Sequence, residues 1–249
     1  MSSRVYYYED EILTAGSKAR YKFALRLVKD KLVLDIGCGA RMGPFILLGS
    51  ARKVAGIDIS KEAVGYALKK WPRVNLVYLV ADAKYLPFKD EAFDCIVSFE
   101  LIEHLDNYEA YLGETKRVLK EAGYLIISTP NRPVASAQGI LSNPDHLREF
   151  DLEEFRSILG GYFSDITIYG QSPSEKVKAI QECREKKYQR AARAPEVFKK
   201  IIPPFIKEFL LKKYLSLKAG NAGGITEDDF TITAENLSRA KYFLALCRK

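Results

Sequence analysis

Histidine is scarce in this chain: among 249 residues there are two, His104 and His146. Long apolar runs are missing altogether. None approaches the ~18 residues needed to cross a bilayer, and the opening Met1-Ser-Ser-Arg-Val-Tyr-Tyr-Tyr-Glu-Asp10 lacks the apolar segment of a secretory signal. The expectation is therefore a cytoplasmic protein. The four cysteines (Cys38, Cys95, Cys183 and Cys247) show no CxxC spacing, and at least three of them fall within or beside apolar runs, so they read as reduced packing thiols. No internal repeat is present. A hydrophobic content of 47% excludes a disordered chain, and the length suits one α/β domain with additions.

What the chain does have begins at Lys31-Leu-Val-Leu-Asp-Ile-Gly-Cys-Gly39, an apolar run that opens directly into a glycine-rich turn. Val33, Leu34 and Ile36 suit a strand buried on both faces, while Gly37 and Gly39 let the backbone turn sharply and approach a ligand. About 20 residues beyond such a loop a nucleotide-binding βαβ unit carries an acid for ribose hydroxyls. Lys53-Val-Ala-Gly-Ile-Asp58 supplies one. Three more apolar runs follow, ending at Ala81-Asp82-Ala83, at Phe99-Glu100 and at Thr129-Pro130-Asn131. Five strands thus end in polar residues, at the edge where open α/β sheets bind ligands. Gly37 and Gly39 also fit plain turns, and Asp58 and Asp82 also fit helix N-caps.

Helical segments at Ser60–Trp71 and Asn107–Glu121 alternate with these strands, which reads as a doubly wound sheet. A capped helix follows at Asp151–Leu159, then a sixth strand at Asp165–Tyr169 and a seventh at Ala240–Cys247. Arg20 falls on a helix before the first strand.

The motifs VLDIGCG (33–39), GIDIS (56–60), VADAKYLPF (80–88), FDCIVSFELIEHL (93–105) and RVLKEAGYLIISTPN (117–131) resemble, in order and spacing, the class I S-adenosylmethionine-dependent methyltransferases. The resemblance covers roughly residues 20–170. It implies a seven-stranded Rossmann-like sheet whose last strand runs antiparallel, with a helical insertion before it. The implied organisation is an N-terminal helical segment (1–30), a cofactor-binding core (31–172), a basic helical lid (173–224) and a closing segment with the final strand (225–249). The resemblance also implies S-adenosylmethionine as cofactor, with Gly37 and Gly39 against its methionine part, Asp58 at the ribose, Asp82 and Ala83 beside the adenine, Phe99 near the sulfonium, Arg20 on the cofactor carboxylate, and Ile59 as a further cofactor-binding residue. Arg41 stands where the family usually has a further glycine, and the next glycine is Gly43.

Glu100-Leu-Ile-Glu103-His104 forms an E-x-x-E-H pattern similar to ubiquinone-type O-methyltransferases and to small-RNA 3′-terminal 2′-O-methyltransferases. In the RNA branch these residues and a later histidine bind a divalent metal. By that likeness Glu100, Glu103, His104 and His146 would hold Mg²⁺ or Mn²⁺, or else His104 and His146 act directly as a catalytic base or an orienting group. Methyl transfer needs an aligned, deprotonated nucleophile, and a hydroxyl needs a base or metal to become one. The same E-H pair occurs in methyltransferases where no metal is implied.

From Pro173 to Ala219 there are 13 Lys and Arg against 5 Asp and Glu, so the chain's net charge of +7 resides wholly in this stretch. Ser174–Ala194 reads as a charged helix, Pro204–Leu217 as a second, and Gly220–Gly224 as a hinge. A solvated lid, an anionic acceptor, an RNA backbone (with Tyr188 and Tyr214 placed to stack) and contact with a membrane surface all fit this charge. The expected partner is a small-molecule, glycan or lipid-like acceptor methylated on oxygen, with RNA second. Two other classes compete. One is a nicotinamide oxidoreductase, disfavoured because Met42 stands where a third glycine belongs. The other is a noncatalytic cofactor-binding scaffold.

Overall fold

The computed structural model describes residues 10–136, 141, 143–192 and 224–249. Asp10 caps the first helix, α1 (Glu11–Leu25), by accepting from the amides of Ile12 and Leu13 at 2.8 and 3.1 Å. Then follow β1 (Leu32–Ile36), the short α2 (Gly43–Leu47), β2 (Lys53–Asp58), α3 (Lys61–Lys70), β3 (Leu76–Val80) and β4 (Phe93–Phe99). A single 3₁₀ turn at Ile102–His104 leads to α4 (Tyr108–Val118), β5 (Leu119–Pro130), α5 (Arg132–Ala135), α6 (Leu152–Gly160), β6 (Ser164–Pro173) and α7 (Glu175–Ala192). The chain closes with β7 (Phe230–Thr233) and β8 (Tyr242–Arg248).

The strands form one sheet in the order β3-β2-β1-β4-β5-β8-β6-β7. β3, β2, β1, β4 and β5 are parallel, whereas β8 runs antiparallel to both β5 and β6. Successive side chains of these strands enter two different cores: Leu34 and Ile36 pack on one face with Ile96, Ile127 and Phe243, and Val33 on the other with Val54, Val97 and Leu244. Burial on both faces is why these runs are continuously apolar instead of alternating.

The doubly wound sheet with an antiparallel closing strand agrees with the sequence expectation, with corrections. Among the described residues there are eight strands, not seven, because β7 pairs antiparallel with β6 through Gly170↔Thr233 to Pro173↔Phe230. The strand β6 is correspondingly longer than the expected Asp165–Tyr169, and α4 stops at Val118, where Leu119 passes straight into β5. Ser60 and Asp151 cap α3 and α6 as their side chains suggest, Asp151 in a reciprocal capping box with Glu154. The first helix of the basic insertion is α7; the second expected helix at 204–217 and all but the last residue of the expected hinge lie outside the described residues.

Topology decides what meets at the ligand edge. The order reverses between β1 and β4, which opens a crevice at the C-terminal ends of the parallel strands. Because β8 is antiparallel, its first residues reach that same edge: Tyr242 pairs with Pro130 at the end of β5 and with Gln171 near the end of β6.

Candidate active site

The loop after β1 is pinned to the neighbouring strand. The amides of Gly37 and Cys38 both donate to the Ile57 carbonyl, at 2.9 and 3.0 Å. Gly37 sits at φ +75°, and a Cβ there would lie 3.0 Å from Leu101 Cδ2, so the position requires glycine on two counts. The Asp58 carboxylate ties loop to strand end: Oδ2 accepts from the Gly39 amide at 2.9 Å and Oδ1 from the Ser60 amide at 2.8 Å. Each oxygen keeps lone-pair capacity for a further donor. Asp58 therefore organises the turn whatever else it binds. Beside it, Ile59 is an exposed apolar side chain (69%), while Ala83 is buried and the Asp82 carboxylate accepts from the Lys84 amide at 2.9 Å. Phe99 is buried and meets the Tyr21 ring edge-on at 5.0 Å.

Under this loop lies a buried pair that the sequence did not single out. Tyr21 reaches from α1 to donate its hydroxyl to Asp35 Oδ2 at 2.9 Å. Asp35 is fully buried, and its Oδ1 has no partner. Burial pushes the carboxyl up to about 8, the Tyr21 hydroxyl opposes the rise, and nearby Asp58 adds to it. Gly43 makes this reach possible, since a Cβ there would collide with the Tyr21 ring.

At the ends of β4 and β5 the two histidines come together, with ring centroids 4.7 Å apart at 76°. The segment carrying His146 is held by the amides of Leu147 and Arg148, which donate to the Glu103 carbonyl at 2.9 and 3.3 Å. His104 Nδ1 lies 2.9 Å from the Asp145 carbonyl, and His146 Nδ1 lies 2.6 Å from Glu149 Oε1. The other Glu149 oxygen accepts from the Ser136 hydroxyl. These contacts orient both rings, with an acceptor oxygen facing Nδ1 in each case. Glu103 is fully buried, accepts from Thr129 Oγ1 at 3.3 Å through Oε2, and leaves Oε1 unpartnered. Burial, with the Glu100 charge nearby, holds its carboxyl well above the usual carboxylate range.

Donor atoms of Glu103, His104 and His146 lie within 4.8 Å of one another. Glu100, the fourth expected ligand, is outside this group: its Oε1 takes the Ser128 hydroxyl at 2.8 Å, and its backbone sits at φ +56°. One carboxylate and two imidazoles oriented through their far nitrogens form a donor set that suits a divalent cation, and the orphaned Glu103 oxygen fits such a ligand.

Arg20 is buried on α1, where Nη1 donates to Gln171 Oε1 at 2.6 Å and Nε has no partner. Its guanidinium lies 5.0 Å from the Tyr242 ring centre. The buried cysteines are packing thiols, Cys95 and Cys247 being pushed up to about 12 by burial. Of the residues that sequence reasoning missed, Glu149 was within reach as the i+3 neighbour of His146. Gln171, Lys241 and Tyr242 carried no local signal.

This architecture, a glycine loop after β1, an acid at the end of β2 and an antiparallel final strand, is the class I methyltransferase fold. Residues 34–127 match the family model described as a methyltransferase domain. The chain is 35% identical over 140 residues to the "Probable S-adenosylmethionine-dependent methyltransferase" of Mycobacterium tuberculosis, covering 55% of this chain and 50% of that protein. It is 33% identical over 113 residues to the ubiquinone biosynthesis O-methyltransferase of Pelagibacter ubique, covering 44% and 46%. The chain thus spans about half the length of the curated relatives it matches. Among solved structures, a SAM-dependent methyltransferase from Archaeoglobus fulgidus superposes with a TM-score of 0.60 over 96% of this chain and 95% of that one, at 21% identity, a likeness of fold. Among the described residues no helix is long and apolar enough to cross a membrane.

Proposed function

We propose that this protein transfers the methyl group of S-adenosylmethionine to an oxygen of a small-molecule acceptor. One observation carries the reading: at a single sheet edge, the glycine loop tied to Asp58 stands beside a pair of oriented histidines backed by buried carboxylates. The Pelagibacter relative, named as an O-methyltransferase, supports oxygen as the acceptor atom.

The cofactor supplies an activated methyl on a sulfonium. The protein has to position and deprotonate the nucleophile, and much of the rate comes from orientation. Asp58 is suited to the ribose hydroxyls, Ile59 and Ala83 to the faces of the adenine, Asp82 to its polar edge, and the positive-φ turn at Gly37 and Gly39 to the methionine part. His104 or His146 takes the hydroxyl proton, and Glu149 steadies the imidazolium that forms on His146. If Glu103, His104 and His146 hold a divalent cation, it lowers the acceptor's pKa in place of a base.

The test is calorimetric titration with S-adenosylhomocysteine and with NAD, with and without Mn²⁺ or a chelator, followed by an acceptor screen. Micromolar binding of S-adenosylhomocysteine and none of NAD is expected. On a substrate found in the screen, His104→Ala and His146→Ala should lower kcat by about 10²- to 10⁴-fold while leaving S-adenosylhomocysteine affinity unchanged. Unchanged turnover in both variants refutes the base and metal roles together.

A further inference from the structure

Glu100 stands where β4 runs out into the crevice, and its backbone lies in the left-handed region at φ +56°. For a residue with a Cβ that conformation is strained, and it persists only where the surroundings enforce it. Here β5 does so. The Glu100 amide lies 3.2 Å from both the carbonyl and the hydroxyl oxygen of Ser128, and the same hydroxyl donates to Glu100 Oε1 at 2.8 Å. Ser128 is fully buried, so one fixed residue clamps both the backbone and the carboxylate of Glu100. Glycine would make this turn without strain. The position instead carries a carboxylate with one oxygen held in place.

The second oxygen is uncommitted. Among the described residues the Ser128 hydroxyl alone hydrogen-bonds this carboxylate, and Oε2 is neither paired nor buried. Contacts on both sides of Glu100 set it against the glycine loop. The Ser98 hydroxyl donates to the Ile36 carbonyl at 3.2 Å, and Leu101 packs so closely on Gly37 that a Cβ there would come within 3.0 Å of it. The parallel pairing of β1 with β4, as far as Asp35↔Val97, carries the two strand ends together into the crevice where the sheet order reverses. Beyond Glu100 the turn at Ile102–His104 leads to the histidine pair. The carboxylate therefore adjoins the loop suited to the methionine part of the cofactor and precedes the histidines by one turn.

That part of the cofactor is a zwitterion. Its ammonium needs an acceptor, and an anionic one makes the stronger hydrogen bond. The other acids near the loop are committed: Asp35 and Glu103 are fully buried, and Asp58 holds the Gly39 and Ser60 amides. We infer that the Glu100 carboxylate receives the α-ammonium of the cofactor through Oε2 while Ser128 holds Oε1. This rests on the methyltransferase reading. It gives Glu100 a share in aiming the methyl group, because a methionine part anchored by its ammonium cannot swing the sulfonium away from the histidines.

Calorimetry in the presence of a metal chelator compares S-adenosylhomocysteine with its desamino analogue, in which hydrogen replaces the ammonium, and with 5′-methylthioadenosine, which has no amino-acid part. The natural protein should bind S-adenosylhomocysteine about 10- to 100-fold more tightly than the desamino analogue. Glu100→Gln should narrow that preference to about threefold or less by weakening S-adenosylhomocysteine alone, with the other two ligands bound as before. Glu100→Gly removes the backbone strain along with the carboxylate, so it should lose the same preference while melting at a higher temperature than Glu100→Gln, which separates the loss from any damage to the fold. A preference that survives in both variants overturns the inference. So does an equal loss for all three ligands, which would make Glu100 a prop of the loop, or a natural protein that binds S-adenosylhomocysteine and its desamino analogue alike. If none of the three ligands binds the natural protein, the methyltransferase reading falls and the inference falls with it; if they bind without preference, only the role of Glu100 falls.

Discussion

The buried Asp35 makes stability depend on pH in a direction opposite to that of ordinary salt-bridged carboxylates. In the unfolded chain an aspartate titrates near 3.9, whereas in the folded protein burial raises Asp35 to about 8. Below pH 4 both states hold the proton and folding carries no penalty. Between pH 4 and 8 the unfolded chain releases the proton while the folded one keeps it, so stability falls by ~1.4 kcal/mol per pH unit. Above pH 8 the loss is constant. Three units between pH 4 and 7 set an upper limit of about 4 kcal/mol. Asparagine has nearly the same shape, its carbonyl can accept the Tyr21 hydroxyl, and it does not titrate. Asp35→Asn should therefore gain on the natural protein by roughly 2 to 4 kcal/mol between pH 5 and 8, which for a chain of this size is about 4 to 16 °C in Tm. Urea unfolding followed by circular dichroism at pH 5, 6, 7 and 8 measures it, because every other titrating group cancels in the difference between the two proteins. Parallel stabilities across that range would show that Asp35 is already ionised when folded.

Two further outcomes follow from the loop geometry. Gly37→Ala combines a positive φ of +75° with a contact of 3.0 Å to Leu101, and should destabilise by about 2 to 3 kcal/mol; Gly39→Ala, at φ +59° with open space around it, should cost only about 1 kcal/mol, so equal losses in thermal denaturation would refute the steric account. Asp58→Ala removes both the acceptor proposed for the ribose and the anchor of the Gly39 amide, and should weaken S-adenosylhomocysteine binding by about 10- to 100-fold in calorimetry, while Asp58→Asn, which keeps one acceptor oxygen, should lose less.

The parts of the fold that could be read directly are those set by local pattern. Apolar runs of five to seven residues became β1, β2, β3 and β4, and Ser60, Asn107 and Asp151 cap the helices that follow them, because strand burial and capping are decided within a few residues. The short β7 escaped notice because the apolar–polar alternation of Phe230-Thr-Ile-Thr233 runs for only four residues; they are a strand because β6 offers them hydrogen bonds. The end of α4 was misjudged for a related reason. Leu119 to Glu121 are compatible with one more turn, but Leu119 is drawn into pairing with Phe93.

The chain's linear order determined the class of fold, the place of the glycine loop and the acid at the end of β2, since these depend on alternation and spacing along neighbouring segments. It also made His104 and His146 conspicuous by their rarity. Only the tertiary structure brought their rings to 4.7 Å, set Glu149 behind one of them and left Glu100 outside the group. It alone joined Arg20 to Gln171 across 151 positions and, by running β8 antiparallel, turned Lys241 and Tyr242 toward the ligand edge. Contacts of that kind form because the sheet closes around two cores, and the side chains that meet there leave no pattern in the segments that carry them.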